Sequence, residues 1–323
     1  FPEADLPVLS YTSVDGHRVE PDEFVPIIPW VFVNGICGLG PGWVSDIPQH
    51  NPLKLIALTR YMIRQQRSLN DINEWQEEAI WTKDHNGYYK REDGKLYSYG
   101  NYKIEGDTLT ISELPVGVWT EKIEHQLKNP KSKLEFSKVE ESHTDTTIQF
   151  VIKGVKDMQK MIGALKLKKL VRENYVVFQD GSIVNKAFPH IMNTFIGKRR
   201  WLYVHRKEYQ LKQMVLKQKE MSDKMKFIEA CIAGKIPLTT ASNLDLIASC
   251  MEHGVNEKYL DINLRDLTKD KVDKLKASID QMKREYKRLH DTVEEDIWEK
   301  ELNELERLLN PKSKKRSYID LSV

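Results

Sequence analysis

Two apolar seams of equal length govern what this 323-residue chain can become. Leu211, Met214, Gln218, Met221, Met225, Ile228 and Ile232 follow one another in alternating steps of three and four, and Val272, Leu275, Ile279, Met282, Tyr286, Leu289 and Val293 do the same. That alternation draws one apolar stripe along a helix, the mark of a helix that packs lengthwise against a partner. Each seam runs through 22 residues, roughly 32 Å at 1.5 Å per residue. Equal lengths suggest that the two pair with each other, so the intervening stretch from Ile236 to Leu267 must turn the chain around. Short periodic pieces there, such as Leu244, Ile247, Ala248 and Met251 ahead of Gly254, predict a small helical knob. The pattern is a long antiparallel coiled coil with a helical knob at its tip. Two core helices of an ordinary domain would produce the same steps.

The first half has a different grammar. Pro2, Pro7, Pro21, Pro26, Pro29, Pro41, Pro48 and Pro52 exclude a long helix from residues 1–52, which read as strand and loop. A helix is expected over 52–67, opened by Pro52 and carried by Leu53, Ile56, Ala57 and Ile63, with a second short one over Asn70 to Trp81. Between Tyr88 and Ile111 an aromatic and β-branched stretch is broken at Asp93-Gly94 and Gly106-Asp107, which predicts hairpins. Trp119 to Leu127 reads as helix and Thr144 to Lys153 as strand. The fold class is therefore α+β, followed by a helical half after Pro189.

Composition removes several classes. The longest apolar runs, such as Val25 to Val33, reach less than half of the roughly 20 residues a membrane span needs, and Pro26 and Pro29 interrupt that one. Cys37, Cys231 and Cys250 lack the spacing of a zinc site or a disulfide framework, which points to a reducing, intracellular setting. The chain opens at Phe1 with no methionine or signal-like segment, so it is expected to be a piece of a longer polypeptide. Total charge is nearly balanced, with 50 basic and 48 acidic residues, but it is unevenly placed. From Lys198 to Lys219 the bases Lys198, Arg199, Arg200, Arg206, Lys207, Lys212, Lys217 and Lys219 face Glu208 alone. Lys156, Lys160, Lys166, Lys168, Lys169 and Arg172 form an earlier basic run. Both suit a phosphate backbone, and both also suit a solvated face. Asp291 to Glu306 is acidic, and Lys312, Lys314, Lys315 and Arg316 make a short basic tail.

The most unusual segment is Val33 to Trp43, V-N-G-I-C-G-L-G-P-G-W. A phosphate-binding loop would need G-K-S/T after its last glycine, and a dinucleotide fingerprint would need a helix start; Pro41-Gly42-Trp43 supplies neither. What such a loop offers is one aliphatic side chain, Leu39, held out between Gly38 and Gly40. An exposed aliphatic wedge beside basic surface is how minor-groove proteins part a base step and kink a duplex; a turn residue tucked into the core is the plainer reading. Glu105-Gly106-Asp107 has the look of a metal-binding acid pair but is explained by a hairpin turn. His143 to Thr147 cannot converge as a hydroxyl-His-Asp set if they lie on a strand, where adjacent side chains alternate faces. No general base, nucleophile or metal set emerges, and a non-catalytic coiled-coil DNA-binding architectural protein is a standing alternative.

Four ordered stretches carry a resemblance. They are R-V-E-P-D-E-F-V-P-I-I-P-W-V-F-V-N-G-I-C-G-L-G-P-G-W-V-S-D-I-P (Arg18 to Pro48), I-S-E-L-P-V-G-V-W-T (Ile111 to Thr120), H-T-D-T-T-I-Q-F-V (His143 to Val151) and Y-L-D-I-N-L-R-D-L-T-K-D-K (Tyr259 to Lys271). Together they resemble the tower and C-gate part of eukaryotic-type type IIA DNA topoisomerases. The resemblance implies the end of a winged-helix region or linker over 1–20, an α+β tower over 21–188, and a coiled coil with a dimerising C-gate over 189–323, its knob at about 234–268. It implies that Leu39 matches the residue that intercalates into the gate DNA, with Gly38, Gly40 and Asn34 shaping its loop and Lys198, Arg199 and Arg200 on the DNA path. Tyr259, Leu260, Ile262, Leu264 and Leu267 become candidates for a homodimer contact. The reaction implied is ATP-dependent passage of one double-stranded DNA through a transient break in another, with Mg2+ and ATP held outside this chain along with the reactive tyrosine. Leu39 and Trp30 depart from the isoleucine and methionine usual in cellular members, and residues 154–186 look short, as in a divergent version such as that of large DNA viruses. A cellular member would belong in the nucleus and a viral one in host cytoplasm and virion.

Overall fold

The computed structural model describes residues 1–65, 80–129, 131, 133–144, 146–179, 181–238 and 241–310. The basic tail lies outside the described residues, as does the expected helix over Asn70 to Trp81 except for its last two residues. The chain divides into two compact units: Phe1–Val25 with Lys198–Glu301, and Pro26–Gly197 with the chain from Leu302.

In the first unit, strands β1 (Tyr11–Val14) and β2 (His17–Pro21) form a hairpin turning on Asp15 and Gly16, both at positive φ. A 3-10 turn over Glu3–Val8 precedes it and buries Asp5. Residues 1–25 thus group with the helical part of the chain, where the expected division made 1–20 a linker to the tower. The cause is local: the Asp5 carboxylate accepts from Arg199 at 2.6 Å and from Arg206 at 3.1 Å.

The second unit is α+β, as expected. A short helix α1 (Trp30–Asn34) occupies the proline-flanked apolar run, followed by the hairpin β3 (Ile36–Gly40) and β4 (Trp43–Ile47) and by helix α2 (Pro52–Gln65). Helix α2 opens on Pro52, where the missing N–H costs nothing; it buries Leu55, Ile56, Leu58, Met62 and Ile63 and leaves Leu53 exposed. Strands β5 (Tyr88–Glu92) and β6 (Lys95–Tyr99) turn on Asp93 and Gly94 at φ 49° and 73°, the left-handed pair that a two-residue hairpin demands. Strands β7 (Tyr102–Glu105) and β8 (Thr108–Ile111) turn at Gly106. Helix α3 (Thr120–Lys128) is where Trp119 to Leu127 was expected, and β9 (Lys138–Glu141) and β10 (Phe150–Lys153) complete a four-stranded sheet in the order β7-β8-β10-β9. Only the last part of the expected strand from Thr144 exists. Thr144 Oγ1 accepts from the N–H groups of Thr146 and Thr147, which folds that stretch into a turn. Helix α4 (Met158–Leu165), capped by Asp157, then leads to β11 (Lys168–Leu170) in a second sheet, β11-β6-β5, and to the hairpin β12 (Val176–Gln179) and β13 (Ser182–Asn185). One core gathers Leu109, Ile111, Phe150, Ile152 and Leu165; in another Phe188 packs on Phe32 at 4.4 Å and on His50 at 5.1 Å.

Helix α5 (Phe188–Ile232) has 45 residues, roughly 67 Å of helix. It is about twice the length of the seam, and its first ten residues belong to the second unit. Helices α6 (Asn243–Glu252), α7 (Lys269–Asp291) and α8 (Glu294–Leu309) follow. From Val272 to Asp291 only Val272, Leu275, Ile279, Met282, Tyr286 and Leu289 are shielded from solvent, which are the seam positions. On α5 the shielded set includes Leu211, Met214, Gln218, Met221, Met225 and Ile228. Lys276 pairs with Glu229 at 3.1 Å, while Lys207 reaches Thr292 O at 2.7 Å and Glu294 at 3.1 Å, so α5 and α7 run antiparallel. The seams end early: Ile232 is exposed, and Val293 stands beyond α7, which stops at its Thr292 cap.

Candidate nucleic-acid interface

The Leu39 hairpin starts from a glycine that nothing else can replace. Gly35 ends α1 at φ 67°, and a Cβ there would meet the Ile47 carbonyl oxygen at 2.8 Å. Strands β3 and β4 then pair in register, Cys37 with Asp46, Leu39 with Val44 and Gly40 with Trp43, around a Pro41-Gly42 turn whose Gly42 has φ 79°. The expected loop is therefore a two-stranded ribbon. Its base is fixed: Ile47 is buried, the Asp46 and Asn174 backbones exchange hydrogen bonds of 3.0 and 2.7 Å, and Ser45 Oγ donates to Val176 O at 2.8 Å.

Near the tip Leu39 is 87% exposed, so the core-packed alternative is not what forms. The glycines act differently from the expectation. On a strand Gly38 and Gly40 face away from Leu39, so they cannot be what leaves it unshielded. A Cβ at Gly38 would touch nothing within 4 Å, and at Gly40 only the Trp43 oxygen at 4.0 Å. Packing within the chain thus does not call for either glycine; they leave a bare backbone face that a bulky ligand can approach. Asn34 is exposed before the ribbon, its carbonyl accepting from Gln49 Nε2 at 3.1 Å. Cys37 is exposed and hydrogen-bonds Asp46, which pushes its thiol pKa up, while the charge of Arg172 acts in the opposite direction. A cation therefore stands close to the Leu39 ribbon.

The basic run on α5 needs correction. Arg199 is 0% exposed: its guanidinium donates to Asp5 at 2.6 Å and to Val25 O at 3.0 Å, approaches Glu301 at 3.4 Å, and lies over the Tyr203 ring at 4.2 Å. Arg206, also buried, bridges Asp5 and Glu301 at 3.1 and 2.6 Å. Burial drives the Tyr203 hydroxyl pKa far up, and that hydroxyl donates to Glu301 at 2.5 Å. Arg199 is thus an internal counterion and faces no ligand. Lys198 pairs with Glu23 and Arg200 with Glu295 at 3.5 Å, so either would have to exchange a carboxylate for a phosphate. In the earlier run, Lys156 pairs with Glu135, Lys168 with Glu92, Lys160 reaches Lys133 O and Lys169 reaches Gly117 O. Arg172 is exposed.

The knob candidates also move. Tyr259 is buried, its hydroxyl donating to Glu220 O at 3.0 Å, and Leu260, Ile262 and Leu267 pack on the same cluster of Phe227, Ile228, Ile236 and Cys250. They hold the knob together; Leu264 lies in a 3-10 turn, Leu264–Asp266. The open apolar side chains are on α6, where Leu244 is 80% and Met251 73% exposed, with exposed Ala248 at the spacing that shares their face. Sequence reading places a helix there but not its outward face.

Neither acidic motif fits a magnesium site. Glu105 is paired with Lys103 at 2.9 Å, and Asp107 accepts from Thr108 Oγ1 at 3.3 Å in the turn. Glu124, Glu141 and His143 come together, but Glu124 pairs with Lys128 and His143 Nδ1 accepts from Gln149 N at 3.2 Å, leaving the proton on Nε2, where it serves as a donor. No helix among the described residues is long and apolar enough to cross a membrane.

Comparison with known proteins converges on one group. A family model described as the A-subunit of DNA gyrase/topoisomerase IV matches residues 1–303. A mitochondrial DNA topoisomerase 2 of Dictyostelium discoideum is 25% identical over 97% of this chain and 26% of its own length. DNA topoisomerase 2 of Drosophila melanogaster is 32% identical over 70% of this chain and 17% of its own. A crystal structure of the Plasmodium falciparum topoisomerase II DNA-binding, cleavage and re-ligation domain covers 96% of this chain and 48% of its own, with TM-score 0.74 and 22% identity, which speaks to the fold alone. The chain spans about a quarter or less of the length of these two curated relatives.

Proposed function

The chain belongs to the family of DNA gyrase/topoisomerase IV A-subunits, and from that membership we propose that it is the tower and exit-gate part of an ATP-dependent type II DNA topoisomerase. Its own tasks are to bind and bend the duplex that is cut and to close the exit behind the duplex that passes. The observation that carries this reading is Leu39, 87% exposed on a ribbon anchored at its base. Magnesium and ATP serve the whole enzyme.

Leu39 acts as a wedge. Parting one base step costs a few kcal/mol and bending a site adds about 1–6 kcal/mol. Burying a leucine side chain returns about 1.5–3 kcal/mol. The wedge therefore offsets much of the unstacking but cannot drive the bend alone. Phosphate contacts must supply the rest, and exposed cations such as Arg172 and Lys186 are placed to make them. In the other unit, Lys198 and Arg200 can each meet a phosphate only by releasing Glu23 and Glu295. The exit gate forms by two-fold pairing of knobs through the face of Leu244, Ala248 and Met251.

In the full-length enzyme, Leu39→Ala is expected to lower the bent fraction of an end-labelled duplex roughly tenfold, the equivalent of losing about 1.4 kcal/mol. DNA cleavage should fall in parallel while unbent binding persists. Energy transfer between the duplex ends reads the bend, and an unaltered bend would leave Leu39 without this role.

A further inference from the structure

The sheet β11-β6-β5 has two unlike sides. In register, Lys168, Tyr99 and Tyr88 form one row across its three strands, Leu170, Tyr97 and Lys90 form the next, and Lys95 pairs with Glu92 beyond them. Cross-strand partners share a face, and so do residues two apart on a strand. All of these residues therefore stand on one side. Between them on β6, Leu96 and Ser98 turn the other way and are 1% and 0% exposed, whereas Tyr88 is 51% and Leu170 48% exposed. Lys90, Lys95 and Lys168 are exposed as well, so this side of the sheet faces solvent.

Its charge is uneven. Three lysines share one carboxylate, Glu92, which pairs with Lys168, lies 3.5 Å from Lys90 and accepts from the Tyr99 hydroxyl at 2.6 Å. Exposed pairs of this kind are weak, so a phosphate can take the place of Glu92. The rings are largely engaged with one another and with Lys168: Tyr88 stacks on Tyr99 at 4.8 Å, and Lys168 lies over Tyr97 at 4.0 Å. A single strand would need open ring faces for its bases. What this side offers is a level surface carrying lysines, which suits the backbone of a closed duplex.

The same side meets the Leu39 hairpin directly. One open cleft is lined by Lys95, Leu170 and Arg172 together with Val44 and Asp46 of the hairpin, and Val44 is the residue paired with Leu39. The backbone hydrogen bonds exchanged between Asp46 and Asn174 hold that cleft together. It joins the hairpin to the lysine-bearing side. Lys95 and Lys168 stand four residues apart along the sheet and one strand across it, about 14 Å, which is about four steps of a duplex at ~3.4 Å per base.

We infer that this side of the sheet is the bed for the arm of the bent duplex, with Lys90, Lys95 and Lys168 contacting its phosphates. The inference rests on the reading that a duplex is held at Leu39. Because the wedge cannot drive the bend alone, phosphate contacts made by the arm favour the bent form.

The test uses the full-length enzyme with two duplexes, a short one ending beside the step that Leu39 parts and a longer one whose arm extends past it. Lys90→Ala, Lys95→Ala and Lys168→Ala should each lower the slope of log affinity against log salt by roughly 0.9 on the long duplex. The short duplex and the thermal midpoint should be unaffected, because these side chains are exposed. Glu92→Gln removes the competing carboxylate and should tighten binding of the long duplex alone. Unchanged slopes, or equal changes on both duplexes, would overturn the inference, as would a lysine-dependent preference for single-stranded DNA over the long duplex. Leu39→Ala in the same assay separates the two readings. A bend lost in that variant beside inert lysine variants would overturn the bed and leave the wedge standing; a bend kept in Leu39→Ala would overturn the reading beneath it.

Discussion

At the scale of single residues, Leu39 and the buried groups obey one rule, that a side chain is where its solvation puts it unless something holds it elsewhere. Leu39 is legible in the sequence because a Pro-Gly turn follows it at once and sets it near the tip of a narrow hairpin, while the glycines on either side clear the opposite face. Arg199 is not, because a sequence count gives a charge but not its partner: Asp5 lies 194 positions away. His50 has no sequence signal at all. It is fully buried, Nδ1 lies 2.8 Å from Pro48 O, and the ring stacks on Phe188 at 5.1 Å. Burial pushes its pKa down to about 4, below the usual value near 6.5. The unfolded chain therefore binds the proton first. Stability from a neutral His50 is present above about pH 6.5 and is lost as pH falls toward 4, to a total of about 3 kcal/mol. Denaturant melts between pH 7 and pH 4 should show that loss, and His50→Leu should flatten it; an equal slope in the variant would mean that other groups set the acid limit.

At the scale of elements, the heptad seams are readable because α7 shields only the positions at that spacing. Helix α5 is longer than its seam because its first turns pack in a different unit and follow no seam. Strands β12 and β13 escape a reading that follows helical spacing, although Asp180-Gly181 between Val176-Val177-Phe178 and Ile183-Val184 is a strong hairpin signal. The basic run on α5 divides by face. Arg199→Ala should cost about 3–5 kcal/mol, since it leaves Asp5 buried with half its counter-charge, whereas Arg200→Ala should cost less than about 1 kcal/mol. Equilibrium unfolding separates the two, and equal losses would mean that the Asp5, Glu301 and Arg206 network relaxes without Arg199.

At the scale of the whole molecule, the proposed function has two parts: a duplex held and bent at the Leu39 ribbon, and a gate closed by two knobs. Leu244→Glu together with Met251→Glu should turn a concentration-dependent dimer of this chain into a monomer in sedimentation equilibrium. Dimers that persist would assign the gate contact to another face. The central claim is that Leu39 enters the base stack. The most direct measurement places 2-aminopurine at successive steps of a gate duplex bound to the full-length enzyme. The account predicts a rise in fluorescence at one step with the wild-type protein and its disappearance with Leu39→Ala. Fluorescence that stays quenched at every step with the wild-type protein bound would contradict it.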